Sequence, residues 1–371
     1  MSAKRNNPYR LRRRRLGRRF DPVGIDVLLV TDPANVRYLS GFTGEDSALL
    51  AGCGWATLLT DGRFTAQAQS ECPDIPRHIR RGPMAEVVAK GLRGRKARRV
   101  GLEGHHMTLA MREGLTRHVS GRRLRTTRRL VASLRVCKDD QEIAAIQRAV
   151  RIAQRAFREL IAPGARALVG RSEAEVAGEL EMRMRRAGAE GASFETIVAA
   201  GRHAAWPHYR PGSTRIRPNQ AVLIDWGAVK SGYCSDLTRV VYTGKIPPQI
   251  GRIHEVVLRA QAAGIAAVRA GKPACRVDGA AREVIEAAGF GQAFSHSLGH
   301  GVGLDVHELP VVAASAHDRL RKRQIITIEP GIYLPGVGGV RIEDDVCVTT
   351  DGAKVLSSLP KSPQAMTLKP K

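Results

Sequence analysis

The residues best suited to chemistry lie in Phe294-Ser-His-Ser-Leu-Gly-His-Gly-Val-Gly-Leu-Asp-Val-His-Glu308. Here His296, His300 and His307 alternate with Gly299, Gly301 and Gly303. Histidine is the side chain most ready to bind a metal or move a proton near neutral pH. The glycines permit positive φ and a close approach of the backbone to an ion or substrate. His296 and His300 have the i, i+4 spacing of a helical zinc pair. The His-Glu-x-x-His order is missing, however, and the glycines would weaken a helix. The segment therefore reads as a turn or strand edge presenting imidazoles into a cavity. A polar turn with hydrogen-bonded histidines is the alternative this stretch leaves open.

Acids stand where buried strands should be apolar. Ala221-Val-Leu-Ile-Asp-Trp226 carries Asp225, and eleven residues later Cys234-Ser-Asp-Leu-Thr-Arg-Val-Val-Tyr242 carries Asp236. Gly227 and Ser231-Gly232 between them predict a hairpin that brings the two aspartates together. Glu329 ends the apolar run Ile325-Ile-Thr-Ile-Glu-Pro-Gly331, and Gly338-Gly-Val-Arg-Ile-Glu-Asp-Asp345 holds Arg341 and Glu343. An unpaired buried carboxylate costs several kcal/mol, roughly, so each such acid needs a cation. One acid alone is most simply the partner of an arginine. Four of them, with a histidine cluster, point to metal. An oxygen-rich set with one imidazole favours a hard, manganese-like ion over a thiolate zinc site.

The elements that must position these residues fall into two groups. Ile25–Val30 and Trp55–Thr60 read as strands, with a turn opening a short helix at Asp32-Pro-Ala-Asn35, and strands and helices alternate to about residue 136. Asp139 with Glu142 is a capping-box start for a helix that Pro163-Gly164 stops, and Ser172 with Glu175 starts another that runs to Gly188. A third helix is expected over about 252–270, and strands over 221–226, 236–242, 325–329 and 339–348. The resulting division is a basic disordered tail over 1–19, a small α/β domain over 20–137 and a larger domain over 138–371.

Composition narrows the function classes. The chain has 371 residues, 43% of them hydrophobic, enough for two packed domains. No apolar run approaches the ~18 residues of a membrane span, and no apolar segment follows the basic N-terminus as in a secretory signal. Six scattered cysteines without a C-x-x-C pair suit reduced thiols in a cytoplasmic protein. The formal charge is +25. Residues 1–20 hold nine cations (Lys4, Arg5, Arg10, Arg12, Arg13, Arg14, Arg15, Arg18, Arg19) and no acid, a block expected to be disordered and self-repelling. Such a block could bind RNA, DNA or an acidic surface, which gives a second reading of function: a nucleic-acid- or ribosome-associated protein.

The ordered set Asp225, Asp236, His300, Glu329, Glu343 resembles the metal ligands of the pita-bread metallopeptidases, which include methionine aminopeptidases, aminopeptidase P and prolidase. The local motifs agree: Leu223-Ile-Asp-Trp-Gly227, Ser235-Asp-Leu-Thr-Arg239, Gly299-His-Gly-Val-Gly303, Ile328-Glu-Pro-Gly331 and Val340-Arg-Ile-Glu-Asp344. Segment 25–64 is similar to the amino-terminal domain of the Xaa-Pro branch, so the resemblance spans roughly 20–355. It implies a creatinase-type α/β N-terminal domain and a pita-bread catalytic domain with a curved, mostly antiparallel sheet.

The resemblance further implies two divalent ions, manganese first with cobalt or zinc as alternatives, and a metal-bridging hydroxide attacking the scissile carbonyl. Asp225 would chelate one ion and His300 bind the other, with Asp236, Glu329 and Glu343 completing both. Glu329 would shuttle the proton. His307 and His296 would contact substrate and stabilise the oxyanion, and His208 would be a further substrate contact. Arg341 and Tyr333 would hold the carboxylates, and Thr238 would bond near one metal. Creatinase-like relatives lack ligands that this chain keeps. The amino-terminal domain favours Xaa-Pro cleavage over methionine removal, so the expected substrates are peptides with proline second, and the family suggests a homodimer. Some prolidases carry an arginine eleven residues after the metal histidine to bind the product's carboxylate. Val311 stands there, which permits longer peptides, with Arg202, Arg210 or Arg215 as substitutes from a nearby loop.

Overall fold

The computed structural model describes residues 7–119 and 121–369. The chain divides into two compact units, Met1–Arg135 and Val136–Lys371.

The first unit corrects the expectation of a disordered tail over 1–19. Residues 1–6 lie outside the described residues, but Pro8–Gly17 is a helix, α1. Asn7 caps it by accepting from the Tyr9 and Arg10 amides, and proline fills the first turn, where its missing N–H costs nothing. Leu16 is fully buried. The repulsion expected of the arginines is relieved because Arg12, Arg13 and Arg19 have acceptors, Arg19 donating to the Ser133 hydroxyl. Arg12 donates to the Tyr38 carbonyl at 3.2 Å and lies 4.3 Å from the Tyr38 ring centre, and Arg13 donates to the Leu39 carbonyl at 2.7 Å and pairs with Asp74.

Beyond α1 come α2 (Phe20–Val23), β1 (Val27–Val30), α3 (Pro33–Ser40), β2 (Ala48–Gly52), β3 (Trp55–Asp61), α4 (Thr65–Glu71), β4 (Arg77–Arg80), α5 (Met84–Leu92), β5 (Arg99–Glu103), α6 (Leu109–His118), β6 (Arg123–Thr127) and α7 (Ala132–Arg135). The strands form one mixed sheet in the order β4-β3-β2-β1-β5-β6. Asp32 caps α3 through the Ala34 and Asn35 amides.

The second unit opens with two long helices, α8 (Asp140–Ile161) and α9 (Glu173–Arg186). Both begin at complete capping boxes, Asp139 with Glu142 and Ser172 with Glu175. Then follow β7 (Gly191–Ala192), β8 (Ile197–Ala200), β9 (Ala221–Trp226), β10 (Ala228–Lys230), β11 (Tyr233–Cys234), β12 (Leu237–Tyr242), α10 (Pro248–Ala267) and α11 (Ala274–Ala287). The last strands are β13 (Gly299–Gly301), β14 (Glu308–Val312), β15 (Ile325–Ile328), β16 (Gly331–Leu334), β17 (Gly338–Arg341), β18 (Asp344–Val348) and β19 (Ala353–Val355). The strand pairings in this unit are antiparallel.

The single strand expected over 339–348 is two. β17 pairs with β16, whereas β18 lies between β15 and β19, and the chain changes sheet at Ile342-Glu343. A large apolar core fills this unit, with Phe157 stacked on Trp226 at 4.4 Å, and a smaller one gathers Ile146, Val150, Tyr233, Val302 and Ile325. Among the described residues, no helix is long and apolar enough to cross a membrane. All six cysteines are free.

Candidate metal centre

Four strand ends and the middle of β13 bring the acids and the central histidine together. β9 and β12 pair so that Asp225 faces Thr238, with Asp236 just ahead of β12. The connection turns at Ser231 and Gly232, both at positive φ (54° and 75°), as a tight hairpin requires. Glu343 bridges to Thr238, and its Oε2 accepts from the Thr238 hydroxyl at 2.6 Å. His300 sits mid-β13, and Glu329 follows β15.

Ligand atoms of Asp236, His300 and Glu343 lie within 4.8 Å of one another. His300 Nε2 is 3.2 Å from Glu329 Oε1 and 3.7 Å from Asp236 Oδ2. All five residues line one cavity of about 540 Å³, together with His208, His296, His307, Arg341 and Val311.

The glycines act differently from the expectation. None of Gly299, Gly301 and Gly303 has positive φ. A Cβ on Gly299 would lie 2.1 Å from the Thr327 carbonyl oxygen, and one on Gly301 would lie 2.2 Å from that of Leu309. The neighbouring strands therefore close on β13 from both sides, and His300 is held between them.

Charge in the cluster is unbalanced. Burial, then the neighbouring carboxylates Glu343, Asp225 and Glu329, pushes Asp236 well above the usual carboxylate range. Burial with Glu329 and Asp225 does the same to Glu343. Burial also raises Asp225 against the pull of Arg341, whose Nη2 is 2.5 Å from Asp225 Oδ2. Glu329 is the exception: burial opposes ionisation, but the hydrogen bond and charge of His300 hold it below its ordinary value.

Asp225 Oδ1 is buried without a hydrogen-bond partner. Four carboxylates thus face one guanidinium and one imidazole. An added divalent cation would offset most of this excess and engage the unpartnered oxygen, and the oxygen-rich donors suit a hard ion. His300 is prepared for this: its Nδ1 lies 3.1 Å from the Gly301 carbonyl, which favours the tautomer with a free Nε2 lone pair facing the acids.

The other imidazoles differ in availability. His296 Nδ1 is 2.8 Å from the Ser297 carbonyl and its Nε2 is 2.8 Å from the Tyr333 hydroxyl. Tyr333 in turn accepts from Arg341 Nη1 at 2.8 Å, so the chain runs Arg341 to Tyr333 to His296. Both ring nitrogens of His296 are thereby engaged, and its ring lines the same cavity as the acids. His307 is exposed toward the cavity, its ring centre 4.4 Å from that of His300. His208 is likewise exposed on the cavity wall. Of the three arginines offered as carboxylate readers, only Arg210 lines this cavity. Arg202 and Arg215 line a separate one of about 390 Å³.

Residues 144–350 match the family model for metallopeptidase family M24, and residues 12–137 match that for the creatinase/prolidase N-terminal domain. The chain belongs to metallopeptidase family M24. This metallopeptidase is 36% identical to an uncharacterized peptidase, YqhT, of Bacillus subtilis over 92% of its own length and 96% of the relative's. Among solved structures, an Xaa-Pro dipeptidase from Bacillus anthracis is 35% identical with a TM-score of 0.91, covering 95% of this chain and 98% of that one. An X-Pro aminopeptidase from Thermotoga maritima is also 35% identical, with a TM-score of 0.86 and coverages of 93% and 99%.

The metallopeptidase has further site residues that the sequence reading passed over. Asp345 is fully buried, and burial pushes its carboxyl up to about 7. Its Oδ2 accepts from the Asp236 amide at 3.0 Å, so it fixes the backbone of an expected ligand. Arg239, also fully buried, donates to the Thr238 and Glu343 carbonyls at 2.8 and 2.7 Å. Glu173 is buried beneath the loop carrying His208, accepting from Tyr209 at 2.7 Å and the Ala200 amide at 2.8 Å, with His203 Nδ1 2.9 Å away. Period-two alternation within Glu343-Asp344-Asp345 is a signal that places Glu343 and Asp345 on one face. Arg239 and Glu173 gave no comparable local signal.

Proposed function

We propose that this metallopeptidase hydrolyses the Xaa-Pro bond, in Xaa-Pro dipeptides and at the N-terminus of short peptides with proline second. The observation that carries the reading is the under-neutralised cluster of Asp225, Asp236, Glu329 and Glu343 converging on His300. The names of its relatives, Xaa-Pro dipeptidase and X-Pro aminopeptidase, supply the substrate class.

Asp225, Asp236, His300, Glu329 and Glu343 would together hold the divalent ions, with Asp236, His300 and Glu343 already within 4.8 Å of one another. Two such ions, manganese being the one the donors suit best, would lower the pKa of water and polarise the scissile carbonyl. Glu329 is oriented by the Thr327 hydroxyl at 3.0 Å and by His300. It takes the proton of the attacking water and delivers it to the leaving proline nitrogen, which has no N–H of its own. His307, exposed beside His300, donates to the developing oxyanion, and His208 contacts the substrate from the same cavity. Arg341 fixes Asp225, Thr238 and Tyr333 at once, and His296 holds Tyr333 in place.

The test is to strip the protein with a chelator, reload it with Mn²⁺, and measure bound metal and release of the N-terminal residue from Ala-Pro and Ala-Pro-Ala on one sample. Up to two ions per chain and metal-dependent cleavage are expected. Metal bound without turnover of either peptide refutes the Xaa-Pro assignment.

A further inference from the structure

The excess positive charge is unevenly spread. Residues 1–135 hold 28 Lys and Arg against 11 Asp and Glu, a net +17 of the chain's +25. Part of it converges on a cleft of about 850 Å³ within the first unit, whose lining includes Arg10, Arg13, Arg14, Trp55, Asp74 and Arg95. None of these residues lines the cavity of the metal centre. The one acid in this lining is satisfied internally: Asp74 pairs with Arg13 at 3.1 Å and accepts from the Asn7 side chain at 3.3 Å. Arg10 and Arg14 are exposed, and among the described residues neither guanidinium has an acceptor. They stand one turn apart on α1, a spacing that puts two side chains on one helix face.

The same cleft holds a flat, half-buried platform. The Trp55 indole lies across Gly52, its cross-strand partner, where a Cβ would come within 2.1 Å of the ring. The Arg95 guanidinium lies over the indole, 3.7 Å from the ring centre. Arg95 Nε donates to the Gly91 carbonyl at 3.3 Å and Nη2 to the Thr57 hydroxyl at 3.5 Å, so the guanidinium plane is held in place. Free cations that track a phosphate chain, beside a planar surface on which a base stacks, are the two parts of a single-strand binding groove.

We propose that this cleft binds single-stranded nucleic acid, with Arg10 and Arg14 on successive phosphates and an unpaired base stacked on the Arg95–Trp55 platform. A lipid surface fits less well. Leu16 of α1 is buried and Leu11 is the one large apolar side chain that α1 exposes, whereas a membrane-bound helix needs an apolar face. An acidic peptide would use the arginines but leave the platform idle. Duplex bases are already stacked on one another and cannot reach it.

The test is fluorescence anisotropy of labelled oligo(U) and oligo(dT) strands of about twelve nucleotides, titrated with the full chain in EDTA so that no metal elsewhere recruits phosphate. Wild type should bind with Kd of about 1–100 μM near physiological salt, weakening steeply as salt rises. Replacing Arg10→Gln and Arg14→Gln together should flatten the slope of log Kd against log salt by about 1.4, two phosphates at about 0.7 each. The paired Arg10→Lys and Arg14→Lys variant should restore most of that slope, because a point charge suffices for a phosphate. Arg95→Lys should keep the slope yet weaken binding about five- to tenfold, since it retains the charge and loses the plane. An abasic strand of equal length and charge should bind wild type about tenfold more weakly. Thermal melts of the variants separate a lost contact from a lost fold. The tighter of the two strands identifies RNA or DNA as the source. No binding by wild type, a slope unmoved by the glutamine pair, or equal affinity for the abasic strand or for oligo-glutamate of matching charge overturns the proposal.

Discussion

Glu343 and Asp344 are chain neighbours, both buried, in opposite electrostatic surroundings. Asp344 faces Arg239 at 2.7 Å, Gln261 at 2.8 Å, Lys361 and Ser357. Burial works against its ionisation, but Arg239 and Lys361 hold its carboxyl below the ordinary range. Glu343 shares the single guanidinium of Arg341 with other buried acids, and burial together with Glu329 and Asp225 outweighs it, so Glu343 is raised. A buried carboxylate is therefore no functional sign by itself. The balance of charge around it separates the acid that holds the fold from the acid that waits for an ion.

Substitutions can break this contrast. Asp236→Ala should lower turnover by on the order of 10⁴-fold, about 5 kcal/mol of transition-state stabilisation, and reduce bound metal. Without metal, denaturant titration of the same variant should show unchanged or increased stability, because an uncompensated charge is gone. Asp344→Ala should do the reverse to stability: it strands Arg239 and should cost about 3–5 kcal/mol in the same titration. Equal destabilisation by the two variants would erase the distinction.

Acidity sharpens it. In the metal-free protein, Asp345 holds its proton up to about pH 7, against an ordinary value of about 4 in the unfolded chain. The folded state binds that proton more tightly, so this contribution is full below about pH 4 and is lost as pH rises to about 7. Asp344, lowered on folding, contributes above about pH 4 and loses its contribution as pH falls through its depressed value. Denaturation measured across pH should therefore flatten between about pH 4 and 7 in Asp345→Asn, and at the acid end in Asp344→Asn. An unchanged profile in both variants would refute the assignment.

The smallest effect concerns arginines under the same rule. Arg12, with its carbonyl and ring partners, should cost about 1–3 kcal/mol on replacement by alanine. Exposed Arg14 should change stability by no more than about 0.5 kcal/mol. Thermal melts of the two variants compare them directly.

Much of the site was legible because its signals are local. Asp225, Glu329 and Glu343 interrupt apolar runs, and the capping boxes at Asp139 and Ser172 lie within four residues of the helices they start. The tail was misread because charge density masked the Asn7-Pro8 start of a helix and the single apolar anchor Leu16. The break at Ile342-Glu343 was hidden because an apolar strand looks the same whether or not it changes sheet. The glycines around His300 read as conformational freedom, whereas what they supply is clearance from Thr327 and Leu309, which no neighbour in sequence announces. Arg239 could not be placed beside Asp344, 105 residues away, without the bridge between Thr238 and Glu343 that brings two separate sheets together.

The alternation that sends Glu343 and Asp345 one way and Asp344 the other makes this strand a parity device. A slip of one residue would turn Asp344 toward the ion cluster and leave Arg239 facing the wrong side chain. Only even displacements preserve the sidedness, and a shift by two carries the acids off the end of the site. Intermediate registers are thus excluded in one stroke: the pairing that completes the core also proofreads the alignment of the reactive groups, and lengthening or shortening the segment between Arg341 and Asp344 by one residue should be tolerated by neither.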